Sequence, residues 1–292
     1  PGAMAFFGYD TGSQEVLEYL SGTSCVTLLD QMDPGAVHRE MVREEVERWP
    51  EWATEAPARH PPYEERRQAE WALASGVIVN SEWSEQALVE QGVPSEKIHV
   101  VPLAYESNVQ SPAPDPVPED RPLRVLWLGT VAVSKGIQYL AQAARELRGR
   151  SVTFRIVGGM QVREEAVRSA PSSMTFWGRV PRNETSRHYE WADVFVLPTV
   201  SDGFAITQLE AMAHGLPVIV TPNCGRVIRD GHDGYLIPIR DVTALADAIA
   251  TLVDDRGRVR EMGFRARETV EQYTVDRVAN ELTSIVEQLE NK

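Results

Sequence analysis

Five prolines, Pro112, Pro114, Pro116, Pro118 and Pro122, stand among Asp, Glu and Ser between Ser107 and Pro122. Neither a helix nor an inner strand tolerates such a run, because each proline fixes its own φ and removes a backbone donor. The stretch reads as a semi-extended linker that cuts the chain into two units, each of which must close its own core. With 292 residues, 42% of them hydrophobic, there is material for two domains of ordinary size.

Beyond the linker, short β-rich runs (Leu123–Leu128, Val152–Val157, Met174–Trp177, Val194–Leu197, Val218–Thr221, Tyr235–Pro238) alternate with helical stretches. That alternation predicts a parallel sheet with helices on both faces. Before the linker only Cys25–Leu29, Gly76–Asn80 and Lys97–Val101 read as strands, with helices near Ser13–Leu20, Ala36–Arg48, Tyr63–Ala74 and Trp83–Gln91. A strand–helix unit takes roughly 30 residues, so a full nucleotide-type sheet needs two or three more units ahead of Pro1. The expectation is an α/β chain with an N-terminally shortened first domain, Pro1–Ala5 being a candidate cloning remnant.

A net charge of −14 argues against nucleic acid or a strongly anionic bilayer as a general partner. No apolar run of 18 residues and no secretory signal is present, so no integral membrane segment is expected, peripheral contact being left open. Cys25 and Cys224 give neither metal spacing nor a disulfide framework, and the six histidines show no His-x-x-x-His pairing. A cytoplasmic chain without metal or cofactor is expected.

The chemistry concentrates between Asp202 and Glu210, two carboxylates eight residues apart across a predicted helix start. Ser201, Asp202 and Gly203 are turn and N-cap types, Phe204 to Ala213 are helix formers, and Gly215 ends the helix before Pro217. Unpaired first-turn N–H groups make an anion site. Glu210 then lies roughly 9 Å along the axis, about the reach from a phosphate to a ribose. The alternative is that Asp202 only caps the helix and Glu210 is an exposed acid. His214 reads as a C-terminal cap. Gly129 to Gly136 lacks the Gly-Lys-Ser/Thr ending of a nucleoside triphosphatase loop, and no Gly-x-Gly-x-x-Gly follows a strand.

Asp202 to Ile219 resembles the paired-acid helix of the family 4 retaining glycosyltransferases, which have two Rossmann-like domains (the GT-B fold). Leu123 to Gly136 is similar to the first strand and phosphate loop of their donor domain, and Val77 to Pro102 to the end of their acceptor domain. The similarity spans nearly the whole chain and is densest over 123–240. It implies an acceptor-side domain over 1–108 joined by a returning C-terminal helix at 274–292, a linker at 109–122, and a donor domain over 123–273. It further implies a UDP- or GDP-sugar as donor and a sugar, lipid or other hydroxyl as acceptor.

By the same resemblance the backbone at Gly129 approaches the phosphates, with Thr130 and Ser134 in the loop. Lys135 neutralises the leaving diphosphate, the N–H groups of Gly203, Phe204, Ala205 and Ile206 hold its distal phosphate, Glu210 holds the ribose, and Asp202 faces the sugar. The Gly178-Arg179-Val180 segment lies near the base, whereas Gly158-Gly159 after the strand Phe154–Val157 either lets a base approach or simply makes a turn. The family generally has a loop arginine where this chain offers Thr130 and Ser134, and a glutamate where it has Asp202; Arg179 and Arg182 are the candidate substitutes for the missing cation. On the acceptor side, Leu28 to Pro34, with Asp33, ends a strand where family members often have a histidine that this chain lacks; His38, a little later, is the other acceptor-side candidate, a plain helix residue being the alternative. Arg39 to Arg67 reads as charged helical surface with Trp49 and Trp52 as anchors, an acceptor or membrane contact being the alternative. A nucleotide-sugar epimerase of the same architecture and a non-catalytic binding module are the competing functions.

Overall fold

The computed structural model describes residues 5–54, 61–106 and 117–291. In the first unit come β1 (Ala5–Tyr9), α1 (Gln14–Leu20), β2 (Val26–Gln31), α2 (Ala36–Arg48), α3 (Pro61–Leu73), β3 (Gly76–Val79), α4 (Glu82–Glu90) and β4 (Ile98–Val100). Their sheet is parallel throughout, in the order β1-β2-β3-β4. Four strands stand where three are expected. The fourth is β1, a short edge strand that buries only Gly8.

The second unit holds β5 (Leu123–Leu128), α5 (Ile137–Glu146), β6 (Val152–Val157), α6 (Glu164–Arg168), β7 (Met174–Gly178), α7 (Ser186–Trp191), β8 (Val194–Leu197), α8 (Ile206–Ala213), β9 (Val218–Val220), β10 (Gly234–Leu236), α9 (Val242–Asp254) and α10 (Arg256–Val270). All six expected strands form one sheet, ordered β10-β9-β8-β5-β6-β7. Val194–Leu197 and Val218–Val220 are buried along their whole length, as central parallel strands covered on both faces must be. Helices α9 and α10 begin where Asp241 and Asp255 accept from the N–H groups of Ala244 and Arg258. The linker expected over 109–122 lies outside the described residues as far as position 116.

The last helix, α11 (Val275–Glu290), crosses back to the first unit, where Ile285 packs with Val26, Leu28, Ile78 and Val101. The opposite face of that sheet is closed by Leu17, Trp71 and Leu88 from α1, α3 and α4.

Helix α2 does the reverse. Its acidic sequence reads as surface, yet Glu45 is fully buried and accepts from Gln138 Nε2 (2.9 Å), Tyr139 Oη (2.7 Å) and Arg240 Nε (2.7 Å), all in the second unit. Trp49 donates to Tyr139 Oη and packs edge-on against its ring, while Trp52 and Ala53 join the second unit's core. Burial and the Glu45 hydrogen bond push the Tyr139 phenol up to about 12. The expected aromatic anchors therefore clamp the two units together, around a buried charge that periodicity alone did not reveal.

Candidate active site

Three loops meet at the cleft. After β5, the Gly129 N–H donates to the Val157 carbonyl, Val131 to Gly159 and Gln161 back to Val131, so this loop runs beside the one that follows β6. A Cβ at Gly158 would collide with the Gly129 carbonyl, so the close approach of the two loops requires glycine there. The loop then tightens through Val133–Lys135 into α5. Ser134 acts through its backbone: its carbonyl accepts from the Val200 N–H (2.8 Å) and Thr199 Oγ1 (3.0 Å). That tie sets Lys135 against the loop after β8, where its ammonium pairs with the Asp202 carboxylate. Thr130 is exposed.

Helix α8 starts at Ile206, two residues later than the turn chemistry suggests, with Ala205 as an N-cap that contributes no side-chain bond. The cause is tertiary: Asp202 N–H donates to the Asn223 carbonyl and Ala205 N–H to that of Cys224, which keeps Phe204 and Ala205 out of the helix. Gln208 Nε2 locks the same corner by donating to Cys224 and Gly225 carbonyls. The Ala205 N–H is thus already engaged. The axial distance from the helix start to Glu210 shrinks from the expected 9 Å to about 6 Å.

Glu210 is not an exposed acid. Its side chain is 14% exposed, Oε2 accepts from Tyr189 Oη at 2.7 Å, and Oε1 lies 3.8 Å from Arg182 Nη2 on the rim. Tyr105 is close enough that burial and the Glu210 charge raise its phenol. Arg179 is exposed, with its guanidinium alongside Gly159, and the half-buried Val180 packs on the second unit's core. His214 Nδ1 donates to the Glu210 carbonyl, as a C-terminal cap does.

The first unit supplies the facing wall. His38, in the first turn of α2, has Nδ1 3.1 Å from Ser201 Oγ. Burial holds its imidazole below the ordinary value, with Asp33 and Asp202 pulling up and Lys135 and Arg39 pushing down. His38 therefore lies within electrostatic reach of the Lys135–Asp202 pair, with Asp33 on its own side of the cleft, a proximity sequence spacing did not reveal. Across the cleft Ser81 Oγ donates to the Gly203 carbonyl at 2.7 Å, and within the first unit Asn80 Nδ2 donates to the carbonyl of Met32 at 3.0 Å. A Cβ at Gly203 would collide with the Met32 carbonyl. Gly203→Ala is expected to destabilise the chain by about 1–3 kcal/mol, as overpacking does, measured by urea unfolding.

At the ends of β1 and β2 lies a cluster no motif announced. Arg67 donates to Asp10 Oδ2 (3.0 Å), Gln31 Nε2 donates to the same oxygen, and Trp71 Nε1 donates to Gln31 Oε1. Burial, with the Asp10 charge, pushes the neighbouring Asp30 carboxyl up to about 6 from 3.8. A raised folded-state value means that Asp30 contributes stability fully present below its unfolded value near 4, lost as pH rises through 6. Asp30→Asn is expected to leave the melting temperature unchanged near pH 4 and raise it above pH 7, a difference calorimetric scans at the two pH values would reveal.

Among the described residues no group of three or more His, Cys, Asp or Glu side chains is placed to hold a metal ion, and no helix is long and apolar enough to cross a membrane. Cys25 and Cys224 are both free thiols.

Residues 122–255 match the family described as glycosyl transferases group 1. WcaL of Escherichia coli (strain K12), named as a colanic acid biosynthesis glycosyltransferase, is 30% identical over 69% of this chain and 54% of its own length. The chain spans about half the length of the curated relatives it matches. Sucrose-phosphate synthase of Thermosynechococcus elongatus superposes with a TM-score of 0.75 at 25% identity, covering 98% of this chain and 73% of that one. HepE of Anabaena, solved with UDP-glucose, shares the fold at 18% identity and a TM-score of 0.69, covering 98% of this chain and 79% of that one. With its Rossmann-like sheets, the crossing α11 and the match over 122–255, the chain has the GT-B fold and carries a glycosyl transferases group 1 domain.

Proposed function

We propose that the chain transfers a sugar, with retention at the anomeric carbon, from a nucleotide diphosphate donor to a hydroxyl acceptor. The observation that carries this reading is the pairing of Lys135, from the loop after β5, with Asp202, in the segment that leads into the α8 helix bearing the largely buried Glu210, which sets a cation for the leaving diphosphate at the helix start. The Lys135 ammonium exchanges its bond to Asp202 for the diphosphate, the amides of Gly203, Phe204 and Ile206 face the distal phosphate, and Glu210 accepts from the ribose hydroxyls. Arg179 and Arg182 on the rim stand in for the loop cation the family usually has. Asp202, released by Lys135, and His38 face the sugar. Asp202 is assigned to the sugar hydroxyls and no other carboxylate among the described residues is assigned as a nucleophile, so retention proceeds by front-face attack assisted by the leaving phosphate. Charge compensation rests on Lys135 and the backbone amides, so no metal is assigned a role. The UDP-glucose complex of HepE supports a UDP-sugar donor, and two free thiols suit a cytoplasmic setting.

The test is incubation with UDP-glucose and GDP-mannose, with nucleotide release followed by coupled assay and the anomer of the released sugar by proton NMR. Slow release with the donor's anomeric configuration is expected. Saturable binding without release would instead identify a non-catalytic binder, and an inverted anomer would overturn retention.

A further inference from the structure

The Glu210 carboxylate is held by a residue that itself has no access to the cleft. Tyr189, on α7, is 1% exposed, and its hydroxyl donates to Glu210 Oε2 at 2.7 Å. Its ring is packed by two neighbours, stacked on the His214 imidazole with centroids 4.9 Å apart and tilted against Phe195 at 6.2 Å. His214 is in turn fixed by its bond to the Glu210 carbonyl and by Ser186 Oγ, 3.0 Å from its Nε2. Tyr189 therefore has no freedom to follow a wandering carboxylate; the carboxylate must come to it. With Oε2 committed, Oε1 is the oxygen left on the rim side, where the exposed Arg182 lies.

We propose that Tyr189 is a positioning residue for nucleotide recognition, aligning Glu210 so that Oε1 meets the ribose hydroxyls of the donor. This rests on the reading that Glu210 holds the ribose. Burial, with the charge of Glu210, holds the Tyr189 phenol well above its ordinary value, so it remains a donor at all working pH values. Without that hydrogen bond the carboxylate samples other rotamers, and ribose contact is lost while base and phosphate contacts remain.

The experiment is calorimetric titration with UDP and GDP, each compared with its 2′,3′-dideoxy form, on the wild type, Tyr189→Phe, Glu210→Gln and the double variant, with melting temperatures recorded. Tyr189→Phe is expected to weaken the ribose form about 5- to 10-fold while changing the dideoxy form less than about twofold, and to add nothing in the Glu210→Gln background. Equal weakening of both forms would reduce Tyr189 to a packing role and overturn the proposal. Unchanged binding in Tyr189→Phe, with Glu210→Gln still losing ribose discrimination, would overturn it alone. Binding of neither nucleotide, or Glu210→Gln retaining full discrimination, would instead remove the ribose reading beneath it. Should Tyr189→Phe melt early, the double-variant comparison decides, because a packing defect adds to Glu210→Gln and a positioning defect does not.

Discussion

Substituting Lys135 by alanine is expected to lower sugar transfer or donor hydrolysis by about 10²- to 10³-fold, the range seen when one donor of charge stabilisation is removed. Affinity for the nucleoside diphosphate falls about 10- to 100-fold, since a charge-assisted contact contributes roughly 1.5–3 kcal/mol. The geometry makes the loss larger than that of a neutral contact. Lys135 is paired with Asp202, and both side chains are about one quarter exposed, at 24% and 21%. Removing the cation leaves a carboxylate facing the incoming diphosphate, so repulsion adds to the missing attraction. Lys135→Ala combined with Asp202→Asn should therefore bind nucleotide better than Lys135→Ala alone. Steady-state nucleotide release and calorimetry on the wild type and the two variants check this; a Lys135→Ala variant within threefold of the wild type in both would remove Lys135 from the site.

The second large effect concerns the clamp between the units. Glu45→Ala removes the acceptor of three bonds at once and leaves the Arg240 guanidinium without its buried partner, only the exposed Glu44 (2.7 Å) remaining. Breaking one side of a buried charged pair costs about 3–5 kcal/mol. Arg240 also sits at a φ of 65°, a conformation a non-glycine residue keeps only when its surroundings hold it. Glu45→Gln, which keeps two acceptor positions at one oxygen, should lose less. Urea unfolding followed by tryptophan fluorescence reads both variants, with Trp49 and Trp52 reporting directly on the interface. A loss below about 1 kcal/mol for Glu45→Ala would show that the units hold together by apolar packing alone.

Much of the architecture was legible because parallel strands are buried on both faces and stand out as short apolar runs. Leu123–Leu128 and Val194–Leu197 are such runs, and their edges need no tertiary information. What sequence missed depends on contacts distant in the chain. The start of α8 is set by Asn223 and Cys224 carbonyls some twenty residues away, so cap chemistry at Ser201 to Gly203 pointed two residues early. Glu45 has the composition of a surface acid and becomes a core residue only because Arg240, 195 positions later, meets it. Strand β1 is an edge strand with one buried residue, a pattern too weak to separate from a terminus. Lys135, Asp202 and Glu210 were nameable as residues, whereas the Lys135–Asp202 pairing, the approach of His38 and the Tyr189 contact each require the folded cleft.

The central claim is that this cleft binds a nucleotide diphosphate, and calorimetric titration of the chain with UDP, GDP and ADP, beside a Glu210→Ala variant, tests it most directly. The account predicts saturable one-to-one binding of one of these nucleotides, weakened at least about tenfold in Glu210→Ala by loss of a charged acceptor. Binding of none of the three, or binding that Glu210→Ala leaves untouched, would contradict it.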